Sequence, residues 1–358
     1  MPAEDGLTAT VTATERFQLV LQLRRRKRFA AALREIDGLV RTDPHNLSYL
    51  SVQAGLLALL GRYEPAIDIY EAVLARAAAN ARLWIGYGNA LRTVARTADA
   101  IAAYRRALQL KPALGEAWWS LANLKTYRFQ PAEVDAMTVA LGRSDLSAED
   151  RVHLHMALGK AQEDGHRYKV AFDHYAAGNA ERWARVRWDG EANHRHVVAC
   201  ERLFTPDFFA AREGGGCKAP DPIFIVGLPR AGSTLIEQIL ASHSEVEGTM
   251  ELPEITDMAR QLGAGLPGDK PERYLEALSV LPPRELESLG QSYVDRTRVY
   301  RQSGRPRFID KMPNNFNFIA LIRLMHAPCD DHRCAATPDG HLLLRLETKL
   351  PGGAELFL

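Results

Sequence analysis

The residues with the clearest chemical pattern form a loop between a short apolar run and a helical pattern. Residues 222–227 read Pro-Ile-Phe-Ile-Val-Gly and predict a buried strand, while residues 235–240 have the apolar spacing of a helix. From Gly227 to Thr234 the chain follows the pattern G-x-x-x-x-G-S-T. In a strand, loop and helix of this kind, backbone N–H groups and the helix N-terminus converge on one anion. The loop therefore predicts a phosphate site.

This loop lacks the lysine of nucleoside-triphosphate sites. Ser233 stands where the Walker A pattern has lysine, which disfavours a kinase or another P-loop transferase. Arg230 supplies a positive charge from within the loop, and arginine can bind a phosphate through two parallel hydrogen bonds. The alternative interpretation is an ordinary strand-to-helix turn with an arginine on its surface.

Two later segments complete a pattern that resembles a known family. Residues 246–254 read Val-Glu-Gly-Thr-Met-Glu-Leu-Pro-Glu, and residues 308–315 read Phe-Ile-Asp-Lys-Met-Pro-Asn-Asn. With the loop at 229–235, and in this order, they resemble sulfotransferases that use 3′-phosphoadenosine 5′-phosphosulfate (PAPS). The whole of 222–326 is similar to the domain that follows tetratricopeptide repeats in bacterial sulfotransferases, which are relatives of the tyrosylprotein sulfotransferases.

The resemblance implies a PAPS-dependent enzyme whose second domain is an α/β, P-loop-like fold with a parallel sheet. By the same resemblance, Lys311 lies at the transferred group and Arg230 on the phosphosulfate. These cations would neutralise the negative charge that Mg²⁺ neutralises in kinases, so no metal is expected. The residues expected to bind the donor are Arg230, Ala231, Gly232, Ser233, Thr234 and Leu235.

The base for the acceptor hydroxyl is Glu251 by the same resemblance. The register is imperfect, because aligning Thr249 and Pro253 puts Gly248 at the family's catalytic glutamate. Glu251 would then act from a neighbouring position. It could instead be a glutamate that stabilises a helix N-terminus, and Lys311 could be a solvated loop lysine. Three rival bases are Glu247, Glu254 and His243.

A helical repeat precedes this domain. Alanines recur every 34 residues at Ala32, Ala66 and Ala100, and Tyr70 and Tyr104 follow the last two by four positions. This is the tetratricopeptide period, in which small residues let paired helices approach and aromatic residues fill the gap to the next pair. Residues 13–182 therefore resemble an α-helical solenoid of about four or five units. A generic amphipathic bundle is the alternative.

One unit of the array departs from the pattern. In the unit that begins at Gly115, Val134 and Thr138 stand where alanine and an aromatic residue are expected, which predicts an interruption of the stacking there. Repeat arrays present a concave surface, so a protein or peptide segment is the expected partner.

The boundary between the two parts lies in a region that breaks the helical pattern. Residues 183–219 are predicted to be a connecting helix and a linker, because residues 213–216 read Glu-Gly-Gly-Gly and prolines follow. The remaining divisions are the N-terminal part of the sulfotransferase-like domain, 220–326, and an aberrant tail, 327–358.

The tail resembles a sequence that is translated from a displaced reading frame. Residues 331–344 can be encoded by codons that, read one base later, spell Ile-Ile-Asp-Ala-Arg-Arg-His-Pro-Met-Ala-Thr-Cys-Phe. The sequence encoded in this second frame resembles the strand and the arginine-rich turn with which the family would bind the 3′-phosphate of the nucleotide. The hypothesis is a frameshift near residues 326–329, and a divergent tail is the alternative.

Composition limits the functional classes. The 358 residues carry 45 Lys+Arg against 44 Asp+Glu, and a net charge of +1 argues against bulk nucleic-acid binding. No apolar stretch approaches a membrane span, and residues 1–14 lack the features of a signal peptide, which favours a cytoplasmic location. The expected free thiols are Cys200, Cys217, Cys329 and Cys334.

Two classes of function remain open from the sequence. The first is a sulfotransferase that acts on an acceptor hydroxyl while the repeats recruit a protein or peptide. The second is a tetratricopeptide-repeat scaffold whose truncated sulfotransferase domain is inactive.

Overall fold

The chain divides into two compact units. A computed structural model describes residues 12–186, 188–264 and 273–326, together with the backbone of 332–336 and 342–346. The first unit is Met1–Trp188 and the second is Asp189–Leu358. The division falls before the glycine-rich stretch at 213–216, because the helix Gly190–Leu203 packs against a helix of the second unit.

The first unit consists of antiparallel helix pairs joined by short turns. In chain order they are α1 (Ala13–Arg25), α2 (Phe29–Thr42), α3 (Leu47–Leu59), α4 (Tyr63–Arg76), α5 (Ala81–Thr93), α6 (Thr97–Leu110), α7 (Gly115–Ala122), α8 (Pro131–Leu141), α9 (Ala148–Asp164) and α10 (Tyr168–Trp183).

Helix packing in this unit follows the predicted 34-residue register. The alanines at 32, 66 and 100 are fully buried. The Cβ position of Gly88 lies 2.6 Å from the Tyr104 ring, so only a glycine lets α5 approach that ring closely. Tyr70 reaches the next pair, where its hydroxyl lies 2.6 Å from the Cβ position of Gly86. These contacts confirm the repeat as a tetratricopeptide-type array.

A hydrogen bond to the backbone recurs with the same period. Trp84 Nε1 donates to the Ala78 carbonyl at 2.8 Å, and Trp118 Nε1 donates to the Pro112 carbonyl at 2.9 Å. The same side chain therefore closes the turn before two successive units.

The degenerate unit packs differently from its neighbours. The N-terminus of α7 lies directly against α9, where the Gly115 N–H donates to Asp150 Oδ1 at 2.8 Å. A Cβ at Gly115 would overlap the Asp150 carbonyl oxygen. The first helix of this unit thus contacts the first helix of the following one.

The second unit combines helices with a small sheet. Its elements are α11 (Gly190–Leu203), α12 (Pro206–Ala210), β1 (Pro222–Ile225), α13 (Ser233–Ala241), β2 (Val246–Gly248), α14 (Glu254–Ala264), α15 (Arg273–Val280), α16 (Pro283–Thr297), β3 (Arg307–Lys311), α17 (Ile319–Met325), β4 (His332–Ala336) and β5 (Leu342–Leu346). Short 3-10 helices cover Arg298–Tyr300 and Pro313–Phe318.

The sheet has the strand order β2-β3-β1-β5-β4, and β2, β3 and β1 run parallel. One face of these three strands forms an apolar core with α13, built from Ile223, Ile225, Val246 and Ile309. The opposite face contacts α16, where Tyr293 packs 5.3 Å from the Phe224 ring. The strands are therefore covered on both faces, as parallel sheets require.

The tail contains two strands that the sequence analysis did not identify. The backbones of β4 and β5 form an antiparallel hairpin that pairs with β1 at Ile225↔Leu343. An open strand edge carries unpaired N–H and C=O groups, which an adjacent hairpin can satisfy without a crossover connection. The parallel sheet predicted from the sequence thus has an antiparallel extension.

Some predictions concern residues with little or no structural description. Cys200 and Cys217 are free thiols, Cys329 lies outside the described residues, and only the backbone of Cys334 is described. Most of the tail at 327–358 also lies outside them. Within the described part of the chain, no helix has the length and apolar composition needed to cross a bilayer.

Candidate functional site

The three predicted motifs meet at one edge of the sheet. Because β1, β2 and β3 are parallel, the segments that follow them emerge from the same side. The Gly227 N–H donates to the Pro313 carbonyl at 3.1 Å, which joins the loop after β1 to the segment after β3. Open α/β sheets bind ligands at this carboxyl edge.

The loop after β1 has an unusual backbone. Gly227 and Gly232 have φ angles of +149° and +87°, and nothing lies within 4 Å of a Cβ built on either. Arg230 has a φ of +71°, a region that non-glycine residues rarely enter. Such strain is typical of functional loops, and the sequence had not predicted it.

The start of α13 presents free hydrogen-bond donors. Among the described residues, the N–H groups of Gly232, Ser233 and Thr234 donate to no protein acceptor. The exposed Arg230 side chain likewise forms no ion pair with any residue that the structure describes. Free N–H groups, an unpaired guanidinium and open space above the glycines fit a bound phosphate group.

The predicted catalytic pair is in direct contact. Lys311 Nζ donates to Glu251 Oε1 at 2.8 Å. The Lys311 side chain is only 11% exposed, whereas that of Glu251 is 55% exposed. Glu251 therefore reaches the lysine from the segment after β2, while its side chain stays open to solvent.

A second carboxylate near Lys311 was missed in the sequence. Glu237 lies on the inward face of α13, its side chain is 8% exposed, and its Oε2 is 3.9 Å from Lys311 Nζ. Burial raises the pKa of Glu237, Lys311 opposes this shift, and Glu251 adds to it. The available signal was an acidic residue on the face of the loop helix that also carries Ser233, one turn earlier.

The three rival bases have structural partners. Glu247 Oε1 accepts the Ser303 N–H at 2.8 Å, and Glu254 Oε1 accepts the Tyr300 hydroxyl at 2.9 Å. His243 Nδ1 accepts the Glu245 N–H at 3.2 Å and closes the turn after α13. None of these three hydrogen bonds involves Lys311.

Two buried carboxyl groups lie on the other side of β3. Asp310 Oδ2 accepts the Tyr293 hydroxyl at 2.8 Å, and burial raises the pKa of Asp310 to about 8. Burial also raises the pKa of Glu254 to about 7. The alternation of β3 directs Asp310 toward α16 and Lys311 toward α13, so Asp310 lies on the face opposite Lys311.

Comparison with known proteins identifies this region. Residues 222–328 match a family model described as the sulfotransferase family. The chain contains a sulfotransferase-family domain. The matched range includes the loop after β1, Glu251 and Lys311, so all three sequence motifs lie in the part of the chain that the family model matches.

Other similarities cover separate parts of these proteins. An uncharacterized protein of Aquifex aeolicus (strain VF5) is 29% identical over 205 residues, which are 57% of this chain and 27% of that protein. MamA from Desulfovibrio magneticus RS-1 has 19% identity and a TM-score of 0.38, covering 49% of this chain and 99% of that one. A thermophilic TPR protein of Thermus thermophilus has 18% identity and a TM-score of 0.37, covering 48% of this chain and 91% of that one.

The candidate site has groups that could bind an anion. Within the described residues, no group of three or more His, Cys, Asp or Glu side chains could hold a metal ion. The groups available to an anionic ligand are the loop N–H donors, Arg230 and Lys311.

Proposed function

We propose that this chain is a sulfotransferase that moves a sulfuryl group from PAPS to an acceptor hydroxyl. The observation that carries the proposal is the contact of Lys311 with Glu251 at the sheet edge where the phosphate loop leaves its N–H donors free. A buried cation, an accessible carboxylate and an anion-binding loop are the groups that such a transfer requires.

Each group has a distinct role in this proposal. The N–H groups of Gly232, Ser233 and Thr234 would bind the 5′-phosphate, with Ala231 and Leu235 completing the loop, and Arg230 would neutralise the phosphosulfate. Lys311 would stabilise charge on the bridging oxygen. PAPS would supply the sulfuryl group, whose bond to the phosphate oxygen breaks as the acceptor oxygen bonds to sulfur. Glu251 would accept the hydroxyl proton.

The repeat array is proposed to recruit the acceptor. Tetratricopeptide-type helix pairs present a concave surface that suits a protein or peptide segment. A cytoplasmic location stays a prediction from the N-terminal sequence.

Calorimetric titration with 3′-phosphoadenosine 5′-phosphate tests the donor site without an acceptor. We expect the parent chain to bind, and Arg230→Ala to weaken binding about 10- to 100-fold, because a charge-assisted hydrogen bond contributes about 1.5–3 kcal/mol. Arg298→Ala is the matched control, since this arginine is exposed on the same domain and pairs with Asp295.

The possible outcomes separate the candidate functions. Binding that Arg230→Ala leaves unchanged would remove the loop from the donor site. Absence of binding by the parent chain would favour the alternative of a repeat scaffold with an inactive domain.

A further inference from the structure

Lys311 lies between two carboxylates that differ in their surroundings. Glu251 Oε1 is 2.8 Å from its Nζ atom and belongs to a side chain that is 55% exposed. Glu237 Oε2 is 3.9 Å from the same atom and belongs to a side chain that is 8% exposed. One contact is therefore short and open to solvent, while the other is longer and enclosed.

The enclosed contact is held by the packing of α13. Ile236, Leu240 and Ala241 on this helix pack against the apolar core of the sheet. Glu237 is fixed within this packed region, so its carboxylate has little freedom to leave Lys311. An ion pair in such a setting is screened less by salt than an exposed pair.

Gly248 lies beside the Glu237 carboxylate. A Cβ at Gly248 would stand 3.9 Å from Glu237 Oε1 and 3.2 Å from the Ala241 Cβ. The imperfect register of the sequence motif put the family's catalytic glutamate at this glycine. A carboxylate from α13 thus lies beside the position where the sequence lacks one.

We infer that Glu237 is a positioning residue that holds the Lys311 ammonium in place when Glu251 releases it. This inference rests on the proposed function. When Glu251 accepts the acceptor's proton it becomes neutral, and its attraction for Lys311 falls. Glu237 is then the remaining anion within 4 Å of the lysine among the described ion pairs, so Lys311 keeps its place at the sheet edge.

A substitution that removes the charge of Glu237 and keeps the shape of its side chain tests this role. In full-length protein, we expect Glu237→Gln to lower kcat about 10- to 100-fold while KM for PAPS changes less than about threefold, because Lys311 would lose its position at the transferred group. Glu237→Asp should recover part of the loss, since it restores the charge on a shorter side chain. The matched control is Glu287→Gln, an exposed glutamate on α16.

A second measurement does not depend on activity. Acetic anhydride labelling, followed by mass spectrometry, reports how accessible the Lys311 amine is in the ligand-free chain. Because the Lys311 side chain is 11% exposed, we expect Glu237→Gln to increase its labelling severalfold, while the exposed Lys218 is labelled equally in both proteins.

The two measurements distinguish the inference from the proposed function. A parent chain that neither binds the nucleotide nor transfers sulfate would contradict the proposed function, and Lys311 labelling would still decide whether Glu237 holds the lysine. If Glu237→Gln folds and changes neither kcat nor labelling, Glu237 has no positioning role. A loss of kcat with unchanged labelling would also overturn it.

Discussion

Asp310 shows how one residue of the domain depends on its surroundings. Its side chain is fully buried, its Oδ2 accepts a hydrogen bond from the Tyr293 hydroxyl, and no cation among the described residues forms an ion pair with it. Burial raises its pKa from an ordinary 3.8 to about 8. The second buried acid, Glu254, raises it further. Near neutral pH the folded domain therefore retains a proton at this position.

This proton links the stability of the domain to pH. Between pH 4 and pH 8, folded Asp310 is protonated while the unfolded chain has lost the proton, so stability falls as pH rises through this range. Above the pKa of about 8 in the folded state, the contribution of Asp310 to stability no longer changes with pH. Asp310→Asn cannot titrate, and we expect its Tm relative to the parent to increase steadily from pH 5 to pH 8.

Thermal unfolding of both proteins at several pH values gives the measurement. Glu287→Gln on the exposed face of α16 is the control and should show no such trend. At low pH the asparagine variant should be less stable by about 1–3 kcal/mol, because its amide leaves a donor unpaired. A difference in Tm that stays constant with pH would contradict the assignment.

At the scale of elements, the helix pairs depend on specific close approaches. A methyl group at Gly88 would stand 2.6 Å from the Tyr104 ring, which is fully buried. A methyl group at Gly55, one position beyond the register equivalent of Gly88, would lie 3.7 Å from the Tyr70 hydroxyl, an ordinary contact distance. A methyl group would therefore clash at Gly88 but fit at Gly55, although both glycines lie in the first helix of a repeat.

These positions predict opposite effects of the same substitution. Gly88→Ala should destabilise the chain by about 1–3 kcal/mol, because the extra methyl overpacks the α5–α6 contact. Gly55→Ala should be neutral or stabilise by up to about 1 kcal/mol, because alanine favours helix more than glycine does. Urea unfolding measures both variants. Equal effects at the two positions would show that the close approach does not determine the packing.

At the scale of the whole molecule, the end of the sulfotransferase domain is where sequence and family pattern diverge. The three parallel strands carry the predicted motifs, whereas β1 takes its other neighbour from an antiparallel hairpin through one pair of residues, Ile225↔Leu343. The sequence predicts that residues after about 326 are translated from a displaced frame, which would replace the family's next strand and 3′-phosphate clamp.

DNA sequencing across codons 320–335 tests this prediction. We expect a second open frame that continues the domain beyond this point. The chain expressed from the restored frame should bind 3′-phosphoadenosine 5′-phosphate more tightly than the present chain, because it would regain contacts to the 3′-phosphate. A single intact frame through codon 358 would refute the frameshift.

Much of the architecture was predictable because patterns within short stretches of the sequence determine it. The 34-residue register located the paired helices, and the apolar run at 222–227 located β1. The strand, loop and helix around Arg230 also appear as predicted. The hairpin of β4 and β5 was not predicted, because its pairing depends on an available strand edge rather than on its own periodicity.

The candidate site was predictable only in part. The sequence by itself determined the residue types of the loop and singled out Glu251 and Lys311. Only the tertiary structure placed Glu237 beside Lys311, and only it gave Glu247, Glu254 and His243 other partners. The reason is physical: strand register and helix packing decide which side chains share a face, and residues far apart in sequence meet only when those contacts form.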